Sequence, residues 1–258
     1  MFGLLMGTVV AVMGAATAQE SMMGGHTVSV TITNTTSHQT FSAPVLVAHD
    51  ASYQPFDLGK PVLPELVPLA EDGRTHDFET VAKVEPSILD YAVAGGPLAP
   101  GQSVTLHVRV DDAHGLLSAF GMLVTTNDTV FYYGADLAMR EQASGSSDGM
   151  GSSDGVASSD TMGASDGMAA ADGMAGDAMG MHVDLYDGTV RALDAGSEAN
   201  TERCDAIPGP PCGNVGHRHT DMAEGVVTIS KGILGTGDLD PAVYGWTDPV
   251  ATVKLSTP

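Results

Sequence analysis

Apolar and polar residues alternate over many short segments, and this pattern constrains the fold of the chain more than any other feature. Val28, Val30 and Ile32 fall on one face of a strand, and residues 104–110 repeat the same alternation. Gly-Pro and Asp-Gly pairs separate the segments. Short strands joined by turns indicate an all-β fold, an antiparallel sandwich, rather than a parallel α/β sheet. Strands are predicted at 26–33, 43–49, 104–110, 119–125, 130–133, 182–186, 225–229 and 251–255.

Helical periodicity is weak by comparison. Only residues 64–71 and 80–90 favour short helices, and Pro68 and Pro86 limit both. A chain of 258 residues with 43% apolar content can build one large all-β domain or two small ones. We place a single sandwich domain at residues 26–256.

A low-complexity segment at residues 144–181 interrupts the strand pattern. It consists of Ser, Asp, Gly, Met and Ala, and its aspartates recur every six residues from Asp148 to Asp172. Such a composition cannot offset chain entropy, which predicts a disordered insertion within the domain. Its methionines, close to His182, are soft ligands that suit Cu(I). The alternative is sequence slippage in a loop that tolerates it.

The N-terminus and the cysteines both indicate an exported protein. Residues 1–18 are apolar and uncharged and end on Ala16-Thr17-Ala18, the pattern of a cleaved signal peptide. An uncleaved anchor is the alternative, but the run is shorter than the ~20 apolar residues that span a bilayer. Cys204 and Cys212 flank a Pro-rich loop and are expected to form a disulfide, with a free or metal-binding pair as the lesser option. We therefore predict a secreted, periplasmic or cell-surface location.

The charge of the chain excludes some partners. Its 32 acidic residues outnumber 10 Lys and Arg, which gives a formal net charge of −22. Nucleic acid and anionic membranes are poor partners, because both are bound through Lys and Arg. Two explanations fit the acidity: dedicated metal sites, or an acidic solvated surface.

Two acidic segments stand at the ends of apolar runs. One contains Asn127 and Asp128 and runs on to Asp136, and the other spans Asp194 to Glu198. Loops at one tip of a sandwich can present such carboxylates to Ca²⁺, which takes six to eight oxygen ligands. The alternative is that Asp, Asn and Gly gather in turns because they tolerate turn geometry.

The order of these motifs resembles the spondin N-terminal domain family, in particular its prokaryotic secreted members. The resemblance covers residues 26–256 without the insertion, and its most specific part is Asp194-Ala195-Gly196-Ser197-Glu198 after the Val183-Asp184-Leu185-Tyr186 segment. It depends as well on the opening strand at 28–34, the segment at 127–128 and the closing 237–241 segment with Trp246.

The resemblance implies a C2-like β-sandwich that binds calcium through loop carboxylates. Asp128 and Asp194 match the family's acidic positions, and Asp136 stands at a polar position after a glycine. The chain departs from the family in the residues that follow Asp128 and in a spacer at 187–193. The implied function is non-enzymatic association with a cell surface or extracellular matrix, with an extracellular protein or a polysaccharide as partner.

Other chemistry has weaker support in the sequence. There is no Gly-x-Ser-x-Gly elbow and no phosphate-binding glycine loop, so an enzyme is not predicted. His217 and His219 could join His182 or His26 around Zn²⁺ or Cu²⁺, although a solvated loop is the simpler interpretation. The alternative function is therefore a periplasmic or extracellular copper-binding protein that uses the Met-rich insertion and histidines.

Overall fold

The computed structural model describes residues 25–139 and 185–256. The predicted signal peptide at 1–18, the insertion at 144–181 and His182 lie outside these residues. The described strands form two antiparallel sheets, so the all-β sandwich is confirmed. The strands are β1 His26–Asn34, β2 Val45–His49, β3 Ile88–Val93, β4 Ser103–Val110, β5 Leu116–Met122, β6 Thr129–Asp136, β7 Asp187–Asp194, β8 Thr228–Ile229 and β9 Ala251–Ser256.

The smaller sheet has the strand order β4-β1-β9 and the larger has the order β3-β2-β5-β6-β7-β8. Apolar side chains from both sheets form one core between them, among them Val30 from β1, Ala48 from β2 and Phe131 from β6. The alternation of β1 is observed as predicted, because Val28, Val30 and Ile32 are all fully buried.

A second core covers the outer face of the larger sheet. Two short helices, α1 Val67–Asp72 and α2 His76–Ala82, contribute Leu69 and Phe78 to it, and the sheet contributes Phe120 and Tyr132. A 3₁₀ turn, Pro64–Leu66, precedes α1, and a last helix, α3, spans Pro241–Tyr244. Both faces of the larger sheet are therefore buried, which explains why its strands are more uniformly apolar than β1.

Three details differ from the sequence predictions. The helix predicted at 80–90 is wrong over most of its length, because α2 ends at Ala82 and β3 occupies Ile88–Val93. Proline at 86 cannot continue a helix, and the residues after it pair with β2. The supposed spacer at 187–193 is β7, and the strand predicted at 182–186 is not observed at residues 185 and 186, which form a turn.

Two further observations concern the cysteines and the helices. Cys204 and Cys212 form a disulfide, as the sequence predicts. Across residues 25–139 and 185–256, no helix combines the length and apolar character that crossing a membrane requires.

Candidate metal centre

Pairing of β6 with β7 brings Asp128 and Asp194 together at one tip of the larger sheet. Thr129, the first residue of β6, lies opposite Asp194, the last residue of β7. The backbone N–H of Ala195 donates to the carbonyl of Asp128 at 3.2 Å. The two acidic segments of the sequence are thus neighbours across a single ladder.

The Asp128 carboxylate is fully buried and only half satisfied. Its Oδ2 accepts hydrogen bonds from the backbone N–H groups of Ser197, at 2.8 Å, and Glu198, at 3.0 Å. The hydroxyl of Ser197 approaches the same oxygen at 3.3 Å. Its Oδ1 is buried without a hydrogen-bond partner. An orphaned carboxylate oxygen costs free energy, so this atom marks a place where a ligand or a proton would be favourable.

A tight turn after β7 delivers those N–H groups. Asp194 Oδ1 accepts from the N–H of Gly196 at 2.8 Å, and Gly196 adopts a positive φ of 65°. A Cβ at this position would lie 2.2 Å from the carbonyl oxygen of Val226. The turn therefore requires glycine both for its backbone conformation and for its close approach to the segment before β8.

Asp194 extends the site towards a second acid. The side-chain amide of Asn200 donates to Asp194 Oδ2 and approaches Glu224 Oε1 at 3.4 Å. Asp194, Asn200 and Glu224 all line a cavity of about 300 Å³. Glu224 was not singled out in the sequence, because an exposed acid in an acidic chain carries no local signal.

Burial, together with neighbouring acids, disfavours the ionised form of both central carboxyl groups. Burial raises the pKa of Asp128 well above its ordinary value, and the neighbouring charge of Asp194 raises it further. Burial also raises the pKa of Asp194, while the N–H of Gly196 acts in the opposite direction and the charge of Glu224 adds to the increase. Two carboxylates in this arrangement are stabilised by a nearby cation.

A further group of buried charges lies beside the turn. Glu198 is fully buried, with Oε1 accepting from the N–H of His219 at 2.8 Å and Oε2 without a partner. Burial raises the pKa of Glu198 to about 7, and the charge of Glu71 in α1 contributes to the increase. Arg218 forms ion pairs with Glu71 and with Asp72, the latter at 2.9 Å. Arg218 thus supplies a cation to this part of the tip.

Asn127, which precedes Asp128 in the first acidic segment, uses its side-chain oxygen elsewhere. Asn127 Oδ1 accepts from the N–H of Glu202 at 3.0 Å. Glu202 has a positive φ of 54°, and its carboxylate accepts N–H groups from Leu234 and from Thr236. This arrangement fixes the 232–238 loop beside the site and leaves the Asn127 oxygen engaged.

Asp136 does not belong to this tip. It is the last residue of β6 and lies opposite Leu116, whereas Asp128 precedes the first residue of the strand. At about 3.3 Å per residue, the two ends of β6 are roughly 23 Å apart. The Asp136 carboxylate instead accepts N–H groups from Ala138 and Met139. The sequence places it in the same acidic segment as Asp128, but the length of the strand separates them.

The structure does not bring the two histidines into this site. His219 Nε2 lies 3.0 Å from Asp205 Oδ1, and His217 is exposed. Over the described ranges, no group of three or more His, Cys, Asp or Glu side chains is arranged to hold a metal ion. A cation at Asp128 and Asp194 would therefore complete its coordination with backbone carbonyls and water, which calcium accepts.

The side-chain atoms of Asp128 and Asp194 that could bind an ion are all oxygens, and one of them, Asp128 Oδ1, has no hydrogen-bond partner. The two side chains therefore fit a hard cation better than a soft one.

No protein-family model matches the sequence, and no curated protein matches it.

Proposed function

We propose that this chain is an exported, non-enzymatic, calcium-binding β-sandwich of spondin type that acts in association with a cell surface or extracellular matrix. The observation that carries the proposal is the buried Asp128 carboxylate, with its unpartnered Oδ1, beside Asp194. The motif order described above supports the spondin assignment, and the two antiparallel sheets are compatible with it.

The physical case rests on repulsion between buried charges. Without a cation, the protein holds two neighbouring carboxylates whose pKa values are both raised. A bound divalent cation would reverse this effect and would provide the missing partner for Asp128 Oδ1. The role of Asp128 and Asp194 is then to bind the ion, and that of the Gly196 turn is to hold Asp128 in place through backbone N–H groups.

The disulfide supports an exported location. The chain contains two cysteines, and the two are bonded to each other. Disulfides persist in oxidising compartments and are rare in reduced ones. The same inference follows from the apolar N-terminal segment.

Calorimetric titration of the purified protein with Ca²⁺ tests the proposal. Asp128→Asn and Asp194→Asn should each weaken binding at least tenfold, because each removes a charge from the ion's immediate surroundings. Asp112→Asn, an exposed acid between β4 and β5, is the matched control and should leave the affinity unchanged. Unchanged calcium binding in both site variants would contradict the proposal.

The copper alternative depends on the Met-rich insertion, which lies outside the described residues. β6 ends at Asp136 and β7 begins at Asp187, so the chain between them connects at the end of the sheet opposite Asp128. Deleting residues 145–180 should therefore leave calcium binding intact. Loss of copper binding in the same variant would assign any copper site to the insertion.

A further inference from the structure

The single tryptophan of the chain lines a polar cavity beside the candidate metal centre. This cavity has a volume of about 420 Å³ and is lined by Trp246 together with Ser37, Thr247 and Lys231. Trp246 also packs against the core between the two sheets. Trp246 is thus held in place by its contact with the core and also borders the cavity.

A second cavity adjoins the first. It is the 300 Å³ cavity that contains Asp194, Asn200 and Glu224. Lys231 and Gly232 line both cavities, so the segment after β8 is their common wall. The two cavities therefore adjoin along this segment and are together called the groove: an aromatic surface and hydroxyls line one cavity, and carboxylates and an amide line the other.

This combination of groups selects an amphipathic ligand. The indole offers a rigid apolar surface, and the hydroxyls of Ser37 and Thr247 can both donate and accept hydrogen bonds. The carboxylates of Asp194 and Glu224 accept hydrogen bonds when ionised. A sugar ring matches these groups, because it presents C–H bonds on its faces and hydroxyl donors around its edge.

The charge of the groove excludes the acidic members of that class. Two carboxylates and one lysine, Lys231, stand on the walls, besides the engaged Glu202, in a chain with a formal net charge of −22. A polyanion would be repelled both locally and at long range. A neutral sugar avoids this cost.

We propose that the groove binds a chain of neutral sugars, with one sugar ring against Trp246 and the following units passing Lys231 and Gly232 into the second cavity. The Trp246 cavity contains none of the candidate calcium ligands. Sugar binding at Trp246 therefore does not depend on the calcium proposal. The second cavity includes Asp194, a proposed calcium ligand, so sugar binding is measured without calcium.

Tryptophan fluorescence tests this directly, because the chain contains one Trp. The protein is titrated in EDTA with cellohexaose, chitohexaose and mannohexaose. At least one should produce a saturable change in emission, and should bind at least tenfold more tightly than its disaccharide. Absence of a saturable change with all three would overturn the proposal. Equal affinity for disaccharide and hexasaccharide would overturn the continuous groove, and tighter binding of oligogalacturonate would overturn the preference for neutral sugars.

Two variants assign the binding to the groove. Trp246→Ala, followed by calorimetry, should abolish binding of the preferred hexasaccharide. Because Trp246 also packs against the core, Lys231→Ala provides a second variant at an exposed position. It should weaken hexasaccharide binding about fivefold while leaving the melting temperature unchanged. Val84→Ala, at a residue that is 78% exposed on another part of the surface, is the control. Wild-type affinity in both groove variants would contradict the assignment.

Discussion

The larger sheet buries two polar groups of very different character. Around His49, each ring nitrogen has a partner: Nε2 lies 2.9 Å from Ser118 Oγ, and Nδ1 lies 2.8 Å from the carbonyl oxygen of Asp50. Ser118 Oγ in turn lies 2.9 Å from the hydroxyl of Tyr132. Around Asp128, by contrast, one buried oxygen of each carboxylate, Asp128 Oδ1 and Glu198 Oε2, has no hydrogen-bond partner.

The difference separates a structural network from a binding site. Burial lowers the pKa of His49 to about 4, so the ring is neutral at pH 7. Since the Asp50 carbonyl can only accept, Nδ1 donates to it, and Nε2 accepts from Ser118. The network is therefore complete without a ligand and stabilises the fold. The acidic tip is incomplete, and buried polar groups without partners are expected where function requires them.

The largest expected effect is the acid sensitivity of the His49 network. The pKa of His49 is about 4 in the folded protein and 6.5 in the reference state, so the unfolded state binds the proton first as pH falls. Its contribution to stability is complete above pH 6.5 and declines by about 3 kcal/mol on reaching pH 4.

Urea unfolding at pH 7 and pH 4 measures this loss. His49→Gln should begin less stable at pH 7 but lose about 3 kcal/mol less than the wild type on acidification. His76→Gln, at an exposed position in α2, should follow the wild type at both pH values. An equal loss in wild type and His49→Gln would show that the network does not determine acid sensitivity.

Calcium should stabilise the acidic tip and leave the His49 network unaffected. A ligand that binds only the folded state adds about 2.7 kcal/mol at one hundred times its dissociation constant. Unfolding in EDTA and in saturating CaCl₂ should differ by this amount for the wild type. At the same calcium concentration, the difference should shrink by at least about 1.3 kcal/mol in Asp128→Asn, whose affinity is at least tenfold weaker, and should persist in His49→Gln. Calcium stabilisation of Asp128→Asn equal to that of the wild type would remove the site from this tip.

Glu198 should show the opposite pH dependence to His49. Its pKa is about 7 in the folded protein against 4.5 in the reference state, so folding retains a proton between these values. The stability that this group confers is therefore full below pH 4.5 and is lost as pH rises towards 7 and above.

Removing the charge of Glu198 should restore the stability that the wild type loses at high pH. In EDTA at pH 8, Glu198→Gln should be about 2–3 kcal/mol more stable than the wild type, and at pH 4.5 the two should be alike. Glu65→Gln, at a half-buried position in the 3₁₀ turn before α1, provides a comparison outside the tip. A Glu198→Gln variant that is less stable than the wild type at pH 8 would indicate that the charge of Glu198 is stabilised, contrary to its orphaned oxygen.

Local pattern predicts the fold better than it predicts the site. The alternation in β1 and β4 follows directly from burial of one face, so the sequence suffices to place both strands. β7 was missed because its alternation of Val190 and Ala192 with Thr189 and Arg191 is short and was interpreted as a spacer. The first three residues of β3, Ile88 to Asp90, fall within the segment that favours a helix, because pairing with β2 rather than periodicity determines the conformation of this strand.

The site depends on contacts that no local pattern contains. Asp128 meets Asp194 because the register places Thr129 opposite Asp194, across a connection of 50 residues between β6 and β7. Glu71 reaches the same region from α1, on the outer face of the sheet. Asp136 is the opposite case. It is close to Asp128 in sequence, but the extended strand β6 holds the two residues far apart in space.

The smallest expected effect tests that separation. Asp136 Oδ1 accepts the N–H groups of Ala138, at 2.9 Å, and Met139, at 3.4 Å, as a capping side chain does at the start of a helical turn. Asp136→Ala should therefore cost about 0.5–1 kcal/mol in urea unfolding and leave calcium affinity unchanged. Urea unfolding and calcium titration distinguish the two possible roles of Asp136. If Asp136 is a metal ligand, its loss changes calcium affinity; if it is only a helix cap, its loss changes stability alone. A tenfold loss of calcium affinity in Asp136→Ala would place a metal site at the end of β6 where the chain leaves for the insertion, opposite the tip that holds Asp128 and Asp194.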